Sequence, residues 1–148
     1  MNKKIFLFSI AVLIAIAGLS VVAAVGADSQ GETVTIEGID FNIPKGFKEN
    51  KTFEIVNQSD ETAGLSYVMN GKSFEKGADF MSLLVSEYDG LEVTDDIVAA
   101  TGGDAKNIGG QDGYMANKNP YTTFSYHKNG KLVVLSTDNP DLFEEFIV

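Results

Sequence analysis

The sequence predicts an α+β domain: an antiparallel β-sheet with one or two short helices including a C-terminal helix, preceded by an N-terminal hydrophobic helix. Three observations carry that prediction. Apolar and polar residues alternate at period two in many segments beyond residue 32. Asn-Gly, which accepts positive φ at both centres of a tight hairpin turn, occurs at Asn70-Gly71 and Asn129-Gly130. Asn139-Pro140, a helix-start signal, is followed by Leu142, Phe143, Phe146 and Ile147 on one helical face. Strand runs with peripheral helices belong to the α+β class.

The N-terminal element comes first. After Lys3 and Lys4, residues 5–27 carry no charge and only Ser9 and Ser20 as polar side chains. As a helix this run reaches about 35 Å, enough to cross a hydrocarbon core of about 30 Å, and it exceeds the usual signal-peptide core of about 7–15 residues. Val25-Gly26-Ala27 nevertheless places small residues where a signal peptidase would cut. Residues 1–27 therefore read as a signal anchor or a signal peptide. Lys3 and Lys4 before the run, with Asp28 and Glu32 after it, keep the start cytoplasmic. The expected location is the cell membrane, single-pass with the C-terminal domain outside, or the exterior after cleavage near Ala27. Residues 28–32 read as a spacer and 33–148 as an extracytoplasmic α+β domain.

Within that domain, Thr33 to Ile43 alternates with a change of phase at Glu37-Gly38, which predicts one strand with a bulge. Pro44-Lys45-Gly46 turns the chain. Thr52 to Asn57 predicts a second strand and Asn57 to Thr62 a polar loop. A hairpin at Asn70-Gly71 would set Tyr67 opposite Phe74. Asp79 to Tyr88 fits both a helix stripe and a strand face, and is read as a strand. Thr94 to Thr101 predicts a short helix with Asp95 and Asp96 in its first turn and Gly102 as terminator. The glycine-rich stretch 102–113 reads as a loop, followed by a short strand at Tyr114 to Ala116. A two-residue loop at Asn129-Gly130 pairs His127 with Leu132 and Tyr126 with Val133. Phe124, Tyr126, Val133 and Leu135 then share the core face, with His127 on the other.

Phe41-Asn42-Ile43-Pro44-Lys45-Gly46-Phe47, Ile108-Gly109-Gly110-Gln111-Asp112-Gly113-Tyr114 and the final Phe-x-Tyr hairpin running into a helix resemble the small signal-anchored exported proteins of methanogenic archaea. The element order is also similar to the PsbP/Mog1-like α+β sandwich. The resemblance implies export and that sandwich, and it brings no catalytic or binding residue with it.

Composition excludes more chemistry than it suggests. The 148 residues, 44% hydrophobic, suit one domain, and there are no cysteines. Disulfide frameworks, thiolate enzymes, iron–sulfur clusters and a lipid-carrying cysteine are thereby absent. His127 is the single histidine, too few for the usual zinc hydrolase. All 11 basic residues are lysine. Lys3 and Lys4 precede the apolar run, so the remainder carries nine lysines against all 21 acids, a net −12. Such a surface repels nucleic acid.

Four candidate features remain. Residues 102–110 lack the spacing and the Gly-Lys-Ser/Thr ending of a phosphate loop. Asp89, Glu92, Asp95 and Asp96 could attract a divalent cation weakly, but they do not match a calcium loop. Tyr114, Tyr121, Phe124 and Tyr126 around Asn117 to Pro120 form a candidate ligand or partner surface. His127 has no carboxylate partner evident from its neighbours and reads as a non-catalytic strand residue. No catalytic, cofactor-binding or metal residue follows from these patterns. The expected function is an envelope-associated non-catalytic binding or accessory module for a protein, glycan or cell-wall component, with membrane contact through residues 5–27. Its rivals are a small carboxylate-based hydrolase, marked by a buried acid pair, and a subunit of a larger membrane complex, marked by an exposed apolar patch.

Overall fold

The alternation over 33–43 is a hairpin rather than one bulged strand. β1 (Glu32–Ile36) pairs antiparallel with β2 (Ile39–Ile43), and Ile36 faces Ile39. Glu37 and Gly38 both take positive φ, 49° and 77°, as a two-residue loop between twisted strands requires. A bulge and a tight turn leave the same phase change in the sequence; only the pairing separates them. The computed structural model describes residues 31–148. The apolar run at 5–27, with its anchor or signal reading, lies outside the described residues. No helix within them is long and apolar enough to cross a membrane.

The remaining strands form one eight-stranded antiparallel sheet. They are β3 (Lys48–Glu49), β4 (Ile55–Thr62), β5 (Leu65–Lys76), β6 (Asp79–Tyr88), β7 (Asp104–Ile108), β8 (Gln111–Asn117), β9 (Thr122–Lys128) and β10 (Lys131–Thr137). β3 and β4 both lie along the same side of β5, followed in space by β6, β10, β9, β8 and β7. Two meanders, β4–β5–β6 and β7–β8–β9–β10, are thus joined by the pairing of β10 with β6. The chain passes from β6 to the far edge at β7 through α1 (Asp95–Ala99).

Several expectations are corrected here. Asn70-Gly71 is not a turn: β5 runs straight through it, and Tyr67 pairs with Tyr88 and Asp60 rather than with Phe74. Gly71 is required by close approach, since a Cβ there would lie 2.9 Å from the Leu83 carbonyl oxygen. The turns that close β5 fall instead at Ala63-Gly64, with φ of 51° and 80°, and at Gly77, with φ of 60°. Residues Lys51–Phe53 form a 3-10 turn capped by the Asn50 side chain, so the second strand begins only at Ile55. The polar stretch 57–62 is strand, and it is polar because β4 is an exposed edge. Within the glycine-rich stretch, β7 intervenes and Gly109-Gly110 turns the chain into a β8 longer than expected.

Other expectations hold. Asp79 to Tyr88 is a strand, and the β9–β10 register follows the Asn129-Gly130 turn as predicted. The helix near residue 95 ends before Gly102, whose φ is +86°, although the Thr94 side chain makes no capping bond.

Both sheet faces are covered. On one face, Phe74, Met81, Leu83, Phe124, Tyr126 and Leu135 meet the β1–β2 hairpin. The same cluster takes in Leu142 of a 3-10 turn (Pro140–Leu142) and Phe143 and Phe146 of α2 (Phe143–Phe146). On the other face, Met69, Leu84, Tyr88, Leu132 and Val134 meet Val93 and the α1 residue Val98. The first is the hairpin face and the second the helix face. Double coverage explains why β6 is apolar on both sides and fits two periodicities at once.

Candidate functional site

A cleft opens on the helix face at the β7–β8 rim. β7 and β8 form a tight hairpin in which Ala105 faces Tyr114 and Asn107 faces Asp112. Tyr114 in turn faces Ser125, and Ser125 faces Val134, which belongs to the helix-face cluster. Because facing residues share a side of the sheet, Ala105, Asn107, Asp112 and Tyr114 all point to the helix face. α1 crosses that face against β8 and β9. Between them lies a cleft of about 370 Å³ lined by Asp95, Ala105, Lys106, Asn107, Asp112, Gly113 and Tyr114. Lys106 and Gly113 stand on the alternate phase of their strands. Gly113 is fixed by packing, because a Cβ would run into the Ser125 carbonyl and come within 2.9 Å of the Phe124 ring.

The polar groups at the cleft are already oriented. The Asn107 Nδ2 donates to Asp112 Oδ1 at 2.8 Å. His127 Nε2 lies 2.9 Å from Asp95 Oδ1, linking β9 to the first residue of α1. The partner is not evident from the sequence around His127 because Asp95 is 32 residues away in the chain, and the link exists only because α1 folds back over β9. The pair is open to water, with the side chains 36% and 80% exposed. No described serine or threonine hydroxyl bonds to the imidazole. A general base needs a shielded partner and a nucleophile in reach, and this pair has neither. Nothing among the described residues points to catalysis.

The other sequence candidates disperse. Among the described residues no three or more histidine, aspartate or glutamate side chains are grouped as a metal ion would need, so Asp89, Glu92, Asp95 and Asp96 are not gathered at one point; Asp95 faces His127 instead. The aromatic cluster divides between the two faces. Phe124 and Tyr126 are buried in the hairpin-face core, whereas Tyr114 lines the cleft and Tyr121 rests against Phe80, with ring centroids 5.8 Å apart. Sequence reasoning missed Asn107 and Asp112 as a pair, although Gly109-Gly110 between them is a turn signal that would have set them opposite each other. Compared with protein-family models, with curated proteins and with solved structures, the chain matches none.

Proposed function

We propose that this chain is a non-catalytic binding module at the outside of the cell membrane, anchored or released, that recognises an envelope partner through the α1–β7–β8 cleft. The single observation behind this reading is the cleft itself. It presents carboxylate and amide groups beside a tyrosine ring on a sheet rim, with Asp112 and Asp95 already steered by Asn107 and His127. Pre-oriented polar groups with an aromatic wall serve recognition, while an imidazole exposed to solvent and lacking a nucleophile does not serve acyl transfer.

A photo-reactive residue in place of Ala105, which is exposed and faces the cleft, should give one dominant adduct in the native envelope. The same residue in place of Val56, 64% exposed on the far edge, should not. Equal capture from both positions, or none from either, would overturn the reading. The address is tested separately: protease added to intact spheroplasts should digest the chain from Asp28 onward, and full protection would reverse the orientation.

A further inference from the structure

We infer that β7 is a docking strand for an extended basic segment of a partner protein, laid along the sheet edge with a lysine side chain entering the cleft. The inference rests on the binding-module reading and names the partner's chemistry.

The two edges of the main sheet are built differently. Along β4 the pairing with β5 shifts between Ile55 and Gln58, and Asn57 within that shift takes a φ of 46°. A 3-10 turn then separates β4 from β3. Such interruptions deny a newcomer a flat row of free N–H and C=O groups. β7 at the opposite edge pairs with β8 in unbroken register from Asp104 to Ile108. It contains no proline and no residue at positive φ, and its first four residues are exposed. Its inner side bonds to β8; its outer side presents an open row of donors and acceptors, the template that strand addition uses.

The pleat fixes where an added strand would send its side chains. A residue facing Ala105 or Asn107 would share their side of the sheet and point to the helix face, where the cleft lies. There it would meet Asp95, Asp112 and the Tyr114 ring. An ammonium group suits all three, donating to the carboxylates and resting on the ring face, whereas a carboxylate would be repelled twice. The net charge of −10 adds a longer-range pull on a basic segment. The same charge opposes a second copy at this edge, because β7 against β7 would bring two equally acidic domains together.

The test uses the full chain in an uncharged detergent and short labelled peptides. One peptide is Thr-Val-Lys-Val-Thr, a second carries glutamate in place of the lysine, and a third is the lysine peptide N-methylated along one backbone edge. Fluorescence anisotropy should show the lysine peptide binding about tenfold or more tightly than the other two. Amide hydrogen exchange should slow at outward-facing positions of 104–108 when it binds. Asp112→Asn should remove most of the preference for lysine over glutamate, and the N-methylated peptide tests strand addition without altering the protein's fold. Binding without slowed exchange at β7, or equal binding of the N-methylated peptide, would mean charge attraction alone and overturn the inference. Slowed exchange at β7 without peptide, together with a dimer in sedimentation, would give the edge to a second copy and also overturn it. If no peptide binds while position 105 still captures one neighbour in the envelope, the docking strand fails and the binding-module reading stands. If both fail, neither stands.

Discussion

The Asn70 side chain donates to Glu37 Oε1 at 2.9 Å, fastening the turn of the β1–β2 hairpin to the middle of β5. Its Oδ1 also accepts the Asn57 N–H at 2.8 Å, at the point where β4 departs from regular pairing. Lys131 Nζ adds a bond to the Glu37 carbonyl at 2.9 Å. Asn70 therefore ties the small hairpin, the irregular edge and the main sheet together. Asn70→Ala should cost about 1 kcal/mol in a urea titration, the scale of hydrogen bonds between exposed groups, and should speed exchange of the Asn57 amide. Unchanged exchange at Asn57 would show that the link is dispensable.

The His127–Asp95 pair should contribute little despite its good distance. Both side chains are open to water, and exposed ion pairs rarely exceed about 1 kcal/mol. His127→Gln, which keeps a side-chain N–H to offer Asp95, should therefore leave the denaturation midpoint nearly in place and, once a partner is known, leave binding within about twofold. A loss on the order of a hundredfold in any function would revive a catalytic role.

Phe146 should behave in the opposite way. It is fully buried, edge-on to Phe47 with ring centroids 5.0 Å apart and 6.4 Å from Phe74. Phe146→Ala should destabilise by about 3–5 kcal/mol through lost burial and the cavity left behind. Val148→Ala, two residues on and 57% exposed, should be nearly neutral. Comparable effects from both would mean that α2 is not docked on the sheet.

Alkaline pH should destabilise the domain through its buried phenols. Burial, helped by the neighbouring Tyr67, pushes Tyr88 up to about 12, and burial pushes Tyr126 higher still. Both phenols keep their protons in the fold at a pH where the unfolded chain, titrating near 10, releases them. The stability they contribute is therefore complete below pH 10 and falls between pH 10 and about 12. Phenolate absorbance should rise together with loss of the circular dichroism of the sheet. Ionisation of all five tyrosines near pH 10 with the fold intact would contradict that.

What was legible in the sequence was whatever local rules decide. Asn129-Gly130 is flanked by strands that bury one side against a core, so the turn and the predicted register agree with the pairing. The identical dipeptide at Asn70-Gly71 misleads because its glycine serves close approach to Leu83 and its asparagine makes side-chain bonds. Glu37-Gly38 and Ala63-Gly64, weaker as sequence signals, are turns because the strands around them demand positive φ. The cleft was illegible for a different reason. Asp95 meets His127, and the Asn107–Asp112 pair joins them at one rim, only because α1 crosses the sheet on its way to β7; that path is a property of topology, to which no local pattern answers.

The placement of β10 between β6 and β9 has a consequence for how the domain comes into being. During synthesis the chain emerges in order, and the β4–β5–β6 meander is complete before β10 can reach it. Until residues 131–137 arrive, β6 has an unsaturated flank bearing the apolar side chains Met81, Leu83, Leu84 and Val85, all buried in the finished sheet. That interval is when the nascent domain is open to the wrong neighbour, and it ends with a single zipping event in which Leu83 finds Leu135 and Val85 finds Val133.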